Sequence, residues 1–494
     1  MREFTEQELV RRKKAEELAK KGIDPFGHRF DITSNSKEIK ETYEEHTQDD
    51  LHDKEIPVKI AGRIMTKRGK GKAGFMHIQD NFGQIQIYVR LDIVGEEQYE
   101  LFDNADLGDI VGIEGNVFRT NMGELSVKAT KYTHLAKALK PLPEKYHGIS
   151  DPEIKLRKRY LDIIMDPEIK ELFRRKQQFW ATIRNYLIEN GFLEVETPIL
   201  ENSAGGAAAT PFSTHHNALD LDVFLRISMG ELWQKKLLVA GYEKTFEIGR
   251  QFRNEGMSPE HLQDYTQMEF YWAYADYKDG MEFVKEMYRR VTKNVLGTSK
   301  FTSKGYEIDM DAEWEIYDFE TIIKKGTGVS IYEATKEDVI NGLKEAGVEF
   351  DPSAPYWRLV DTLWKVVRKT LSGPGFLVGQ PVELNPLPKR LKDDPRKVAQ
   401  FQVILAGSEM GNGYTELNDA IDLEARFKEQ RDMAEAGDEE AHEHDAEFIE
   451  ALEYGMPPAF GFGVSERLFS TLMDRPIREC VMFPLMKPIN SNEK

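Results

Sequence analysis

The chain has a single cysteine, Cys480, so neither an internal disulfide framework nor a cysteine-based zinc cluster is open to it. It also lacks any apolar run approaching the length of a membrane span. Its opening stretch, MREFTEQELVRRKKAEELAKK, has no apolar core of the kind a secretory signal carries. Together these absences lead to the expectation of a cytoplasmic protein with no membrane partner. Positive charge is also in short supply, for the formal net charge is −19. That deficit lies almost wholly beyond residue 150, and the near-balanced first part contains a basic run, KIAGRIMTKRGKGK (59–72). An acidic body with a locally basic appendage can still grip a phosphate backbone at the appendage.

What is present is enough chain for more than one core: 494 residues should divide into two or three domains. Residues 5–22 read as a charged helix with little apolar stripe. From about 57 to 135, short alternating runs are separated by turn residues: VKIAGRI, GFMHIQD, QIQIYVR, DIVGIEGNVFRT and GELSVKATKYTHL. Five such strands with a basic first hairpin suggest an OB-type barrel, a platform for single-stranded nucleic acid. KPLPEKYHG then reads as a stiff linker. A long helix follows, with Asp166 as its cap, Pro167 in its first position and Gly191 as its stop. Ile169, Leu172, Phe173, Trp180, Ile183 and Leu187 fall on one side of it. In the strand FLEVETPIL, Pro198 points to a sheet edge or an interface.

The rest reads as an antiparallel sheet with helices. Alternation in FEIGRQFRNEG (246–256) places Gln251, Arg253 and Glu255 on one face, although a surface ion pair explains the last two equally simply. In YTQMEFYWAYAD, Tyr265, Gln267, Glu269 and Tyr271 share one face and Met268, Phe270 and Trp272 the other. GNGYTELND (411–419) aligns Asn412, Tyr414 and Glu416 in the same manner. Residues 430–450 read as an acidic helix whose His442 and His444 are solvent-exposed rather than metal ligands.

GFLEVETPIL, FRNEG and GFGVSERLFSTL stand in the order of the three class II aminoacyl-tRNA synthetase motifs. With GGAAATPFSTHHNALDLDVFLRIS, AYADYKD, GNGYTELND, PLMKP and IAGRIMTKRGKGKAGF, the chain resembles the class II lysyl-tRNA synthetases from about residue 7 to 488. The resemblance implies an α+β fold: an N-terminal OB-type anticodon-binding barrel (55–140) after a helical arm (1–54), a linker (141–160), and a class II catalytic domain (161–494) built on an antiparallel sheet flanked by helices. It implies a homodimer that activates L-lysine with ATP and Mg2+ and charges a lysine tRNA. By the same resemblance Arg253 and Arg467 are catalytic, and Glu255, His261, Tyr265 and Glu409 join them in binding ATP. Gly206, Glu231, Arg253, Glu269, Tyr271, Asn412, Tyr414 and Glu416 form the lysine site. Glu409 and Gln402 stand at metal positions, and Phe75, Gln86 and Glu124 at anticodon-reading ones; Phe75 equally suits the barrel core.

The chain departs from the family pattern in four places: an extra residue in RISMGELW, Leu262 after His261, the spacing within GFGVSERL, and Gln402 where a carboxylate is usual. An aspartyl- or asparaginyl-tRNA synthetase and a catalytically silent RNA-binding relative are the competing readings. Glu416 opposes the first, since an aspartate pocket calls for cations; Arg253, Glu255 and Arg467 oppose the second.

Overall fold

Period-two alternation becomes a closed barrel in the N-terminal part of the chain. In this computed structural model, residues 3–52, 54–69, 71–143, 151–203, 209–385, 387–426 and 445–488 are described, and the chain divides into Met1–Pro167 and Glu168–Lys494. In the first unit, β1 (Pro57–Gly69), β2 (Ala73–Gln79), β3 (Gln84–Arg90), β4 (Ile110–Arg119) and β5 (Leu125–Ala136) close in the order β1-β2-β3-β5-β4. Alternate residues such as Ile64, Met76, Ile87, Ile113 and Val127 fill the barrel, while neighbours such as His77, Tyr88 and Glu114 stay half-exposed. The N-terminal arm is the helix Glu6–Lys20, opened by a capping box between Thr5 and Glu8. Residues 151–165, read as linker up to 160, are instead largely helical: Asp151 caps Pro152–Arg157, and Arg159–Met165 follows directly.

The second unit is built on an eight-stranded sheet. Its strands run in the order Glu315–Asp318, Gly375–Val378, Gln400–Leu405, Ser408–Thr415, Ala459–Ser465, Asp264–Ala273, Lys244–Phe252 and Leu193–Glu194. All internal pairings are antiparallel, and the two outermost are parallel. The helices Pro167–Glu189 and Tyr277–Leu296 cover one face, burying Phe179, Ile183 and Met287 against Phe270, Phe401 and Phe462. Trp180 is only partly buried at the margin of this core. A helical insertion (Phe319–Thr327, Lys336–Glu345, Tyr356–Val367) forms a separate core with Leu377 and Ile404.

Two strand expectations change. FLEVETPIL does not run as one strand: Leu193–Glu194 ends the large sheet, and Leu200–Glu201 joins a small sheet with Leu221–Leu225 and Ser213–His216. Pro198, which has no N–H to donate, falls in the break. The other strand stops at Phe252, so alternation does not carry Glu255 onto the sheet floor. Asn254 N–H donates out of the sheet to Thr210 O, and Glu255 lies exposed in the loop. His442, His444 and most of the acidic 430–450 segment lie outside the described residues, as does Gly206.

Candidate active site

Polar side chains from several strands meet on the face opposite the helices, around a cavity of about 430 Å³. Gln267, Glu269 and Tyr271 point into it from one strand while Met268 and Phe270 enter the core. Asn412, Tyr414 and Glu416 line it from another, with Gln400 and Gln402 beside them. Glu409 reaches the same face through a β-bulge. Gln402 pairs with Asn412 and Ile404 with Glu409, which leaves Met410 and Gly411 opposite the single residue Val403. The extra residue reverses the parity of the strand, so a side chain that strict alternation would send to the core is aimed at the cavity. Gly411 sits at φ +154° against the Tyr288 hydroxyl and the Phe462 ring, where a side chain would not fit.

At one end of the cavity three carboxylates are buried together. Glu269 accepts from Met229 N at 3.2 Å, from Gln267 Nε2 at 2.6 Å and from the Tyr271 hydroxyl at 3.0 Å. Glu231 opens the helix Glu231–Val239 and accepts from the Tyr414 hydroxyl at 2.8 Å. Just before it, Gly230 takes φ +66°. Glu416, 1% exposed, lies against Gly461, where a Cβ would collide with its Oε1 and with the Tyr271 ring. Lys235 ties the cluster, its Nζ standing 2.6 Å from both Glu231 Oε1 and Glu416 Oε2. Burial alone would depress this ammonium's pKa, but the two carboxylates override it and hold the group charged. Burial, reinforced by the charge of Glu231, pushes Glu269 up to about 7. Burial pushes Glu416 up to about 8, against the pull of Lys235. Three carboxylates and one ammonium leave this end short of positive charge among the described residues, and Glu416 Oε1 is buried without a hydrogen-bond partner.

The opposite end is cationic. Arg467, the first residue of the helix Arg467–Leu472, donates to the Glu409 carbonyl oxygen and lies 3.8 Å from Glu260. The Glu409 carboxylate accepts from Trp364 Nε1 at 2.6 Å and pairs with Arg368 Nη1 at 3.2 Å. His261, next to Glu260, has its pKa lowered by burial and by Arg467. Arg253 does not line the cavity. Its Nε donates to Ile227 O at 3.3 Å, and its two amino groups have no partner among the described residues. Tyr265 packs near Arg253 and accepts from Gln251 Nε2. Glu255, His261 and Tyr265 likewise lie off the cavity wall.

On the barrel, Phe75 is not core. It is half-buried on the outside, stacked on Tyr88 with ring centroids 4.6 Å apart, and Arg68 lies 5.4 Å from its ring. Tyr88 continues to Phe118, whose ring has Lys128 at 5.4 Å. Gln86, buried, donates to Glu124 Oε2 at 2.6 Å and accepts from Ser126 Oγ at 3.0 Å. His77 Nε2 lies 2.8 Å from Glu124 Oε1.

An OB-fold nucleic acid binding domain family matches residues 58–135, and the family described as tRNA synthetases class II (D, K and N) matches residues 151–487. The Lysine--tRNA ligase of Staphylococcus saprophyticus is 48% identical over 491 residues, covering 98% of this chain and 99% of that protein. The one from Bacillus cereus strain AH187 is 48% identical over 489 residues, 98% of each chain. The one from Staphylococcus aureus strain MW2 is 47% identical over 491 residues, 98% of this chain and 99% of that protein. The chain belongs to the class II lysyl-tRNA synthetases.

Synthetases of this family use ATP as a substrate, generally with Mg2+. In this synthetase Glu409 and Gln402 do not form a donor set for a resident divalent ion. One is a neutral amide, and the other's two oxygens are taken by an indole N–H and a guanidinium. No group of three His, Cys, Asp or Glu side chains among the described residues is arranged to hold a metal. Sequence reasoning missed Lys235, Trp364 and Arg368 in the synthetase site and Tyr88 and Phe118 on the barrel. The four-residue spacing of Glu231 and Lys235 on a helix was a usable signal for the first. Strand parity marked Tyr88 as outward-facing; nothing local marked Arg368.

Proposed function

We propose that the cavity joins L-lysine to ATP as lysyl-adenylate, and that the lysyl group then passes to the 3′ end of a tRNA whose anticodon is read on the barrel. The observation that carries this reading is the shortage of positive charge around Glu231, Glu269 and Glu416. A buried carboxylate cluster of this kind is completed by a substrate that brings cations, and lysine brings two. Its ε-ammonium fits beside Glu416 Oε1 and the Glu269–Tyr271 pair; its α-ammonium fits beside Glu231, with Asn412 and Tyr414 as walls. An aspartate side chain would add a fourth negative charge, which disfavours the aspartyl reading.

In the first step a carboxylate oxygen of lysine attacks the α-phosphorus of ATP and the bond to pyrophosphate breaks. The unpartnered fork of Arg253 suits the lysine carboxylate and the α-phosphate, because a guanidinium binds such oxygens in two places and stays charged. Arg467 serves the far phosphates, with Glu255, His261 and Tyr265 on the nucleotide. Catalysis of this kind is positioning plus neutralisation of developing charge. In the second step a terminal ribose hydroxyl of the tRNA attacks the lysyl carbonyl and AMP leaves. On the barrel, Phe75 offers a stacking face and the exposed Glu124 offers hydrogen bonds to an unstacked base, while Gln86, buried and already bonded to Glu124 and Ser126, orients that carboxylate rather than meeting the base itself.

We further place the enzyme in the cytoplasm as a homodimer. Ile188, Leu193, Ile199 and Leu200 are exposed near the end of the sheet, an apolar group that a second copy would cover. No helix among the described residues is long and apolar enough to cross a membrane. ATP–pyrophosphate exchange measured with each of the twenty amino acids tests the main reading. Exchange should depend on lysine alone, and exchange driven by aspartate or asparagine would overturn it.

A further inference from the structure

Glu409 is aimed at the cavity by a bulge and then occupied from behind. Trp364 and Arg368 lie four residues apart, where the helix Tyr356–Val367 passes into a short 3-10 turn, so both reach toward one point. That point is the Glu409 carboxylate, with the indole N–H 2.6 Å from Oε1 and the guanidinium 3.2 Å from Oε2. The carboxylate is thereby neutralised before any ion arrives. Its neighbour Gln402 brings no charge, and Arg467 donates to the carbonyl oxygen of the same Glu409. Arg368 lies close enough to Arg467 to weigh on its charge, and its own Nε is buried without a partner. A divalent cation would face two guanidinium groups there, and the two nearest carboxylates, Glu409 and Glu260, are already paired with Arg368 and with Lys304. A polyphosphate would find the opposite: the Arg467 guanidinium on the cavity wall, beside a Glu409 whose negative charge Arg368 has already cancelled.

We propose that the Arg368 guanidinium, seated on Glu409, takes the place that a protein-held Mg2+ would otherwise occupy at that carboxylate, so that the divalent ion at this site is the one ATP carries in. The inference rests on the reading of this cavity as the ATP site. Arg368 acts through Glu409 and is a positioning residue, so its test needs a readout other than turnover.

Mn2+ in solution gives a sharp six-line paramagnetic resonance signal that is lost when the ion binds protein. With the full chain and lysine but no nucleotide, the wild-type protein should leave that signal at its free-ion amplitude up to millimolar Mn2+. The double variant Arg368→Gln, Gln402→Glu frees Glu409 and adds a second carboxylate, and it should bind Mn2+ about tenfold or more tighter than wild type. With a non-hydrolysable ATP analogue, the wild type should hold one Mn2+ per active site. Nucleotide-free binding by the wild type that disappears in Glu409→Gln would overturn the proposal, as would two ions per site with the analogue. A double variant that melts cooperatively yet binds no more Mn2+ than wild type would show that Arg368 is not what excludes the ion. Should that variant fail to fold, the two wild-type measurements decide alone. The nucleotide-free measurement reads only the Arg368–Glu409 pair, so a failure there is separable from a failure of lysine-dependent exchange.

Discussion

The carboxylate-lined end of the cavity and the outer face of the barrel both gather a few polar groups beside aromatic rings, yet they are built on opposite terms. In the cavity, Glu231, Glu269 and Glu416 are buried, and Tyr271 and Tyr414 serve them as hydrogen-bond donors. On the barrel, Phe75, Tyr88 and Phe118 are half-buried rings offered as surfaces, with Arg68 and Lys128 at the margins. The first arrangement suits a small cation that must be stripped of water and held by charge. The second suits a flat base arriving with its phosphate. Desolvated charge is worth more per residue than stacking, and stacking more than a charge left in solvent. The two regions should therefore fail by different amounts and in different steps of the reaction.

The largest effect belongs to Glu416→Gln, which keeps the shape and removes one charge from the cavity. Leaving the substrate ammonium without its counter-charge should cost about 2–5 kcal/mol, read as the fall in kcat/KM for lysine-dependent exchange. The Kd for ATP alone should stay close to wild type. The melting temperature should not drop, because the mutation relieves crowding among carboxylates that burial already disfavours. Unchanged lysine kinetics would remove Glu416 from the pocket.

Phe75→Ala comes next and should leave exchange untouched. Loss of a stacking face should cost about 1–3 kcal/mol in the charging of tRNA. The ring lies outside the barrel core, so the variant should also melt as one cooperative unit. An equal loss in exchange and charging would mean that the barrel and cavity do not divide the work as described.

How far this contrast could be read in the sequence depended on the range of the interactions involved. Alternation carried Gln267, Glu269 and Tyr271, and Asn412, Tyr414 and Glu416, because parity is a local property of a strand. It failed at Glu255, and Glu409 was reached through the resemblance alone; both positions lie at local breaks of that parity. The strand through Gln251 ends at Phe252, so Glu255 leaves the sheet, and the bulge at Met410 and Gly411 turns Glu409 inward where counting alone sends it to the core. Arg368 lay beyond any such pattern, since only the folding of a distant helix brings it to Glu409. On the barrel, alternation left Phe75 open between the core and the outer face, and it could not show that the ring stacks on Tyr88.

The pH dependence of lysine binding sharpens the contrast further. In the ligand-free site Glu269 and Glu416 stand at about 7 and about 8, raised chiefly by burial. Binding an ammonium favours their ionised forms, so protons are released when lysine enters. Affinity should thus be full above pH 8 and fall as the pH drops through the raised pKa values, by about tenfold per pH unit for each proton released. Calorimetric titration of lysine between pH 6 and 8.5, in buffers of different ionisation enthalpy, reads both the slope and the proton count. Binding of tRNA to the face of the barrel around Phe75, which has no group of three buried carboxylates among the described residues, should not share that slope. A flat lysine profile would mean that the carboxylates are already ionised in the empty site.

The smallest effect is expected from Arg68→Ala, and it probes what a solvent-facing charge adds to stacking. Arg68 pairs across the strands with Phe75, and its guanidinium lies 5.4 Å from the ring. In that place it can hold the ring's face and meet a phosphate of the strand whose base stacks there. Cation–π contacts at exposed sites are worth about 0.5–1 kcal/mol, so the KM for tRNA should rise by about two- to fivefold. If the group also neutralises one phosphate, the slope of log affinity against log salt should shrink by about 0.7, the value for a single strand. Phe75→Ala predicts the reverse pattern, a larger loss of affinity with the salt slope kept. Filter-binding titrations of both variants across a range of KCl separate the two: a salt slope lost with Phe75 and kept without Arg68 would mean that the ring, and not the cation, places the phosphate.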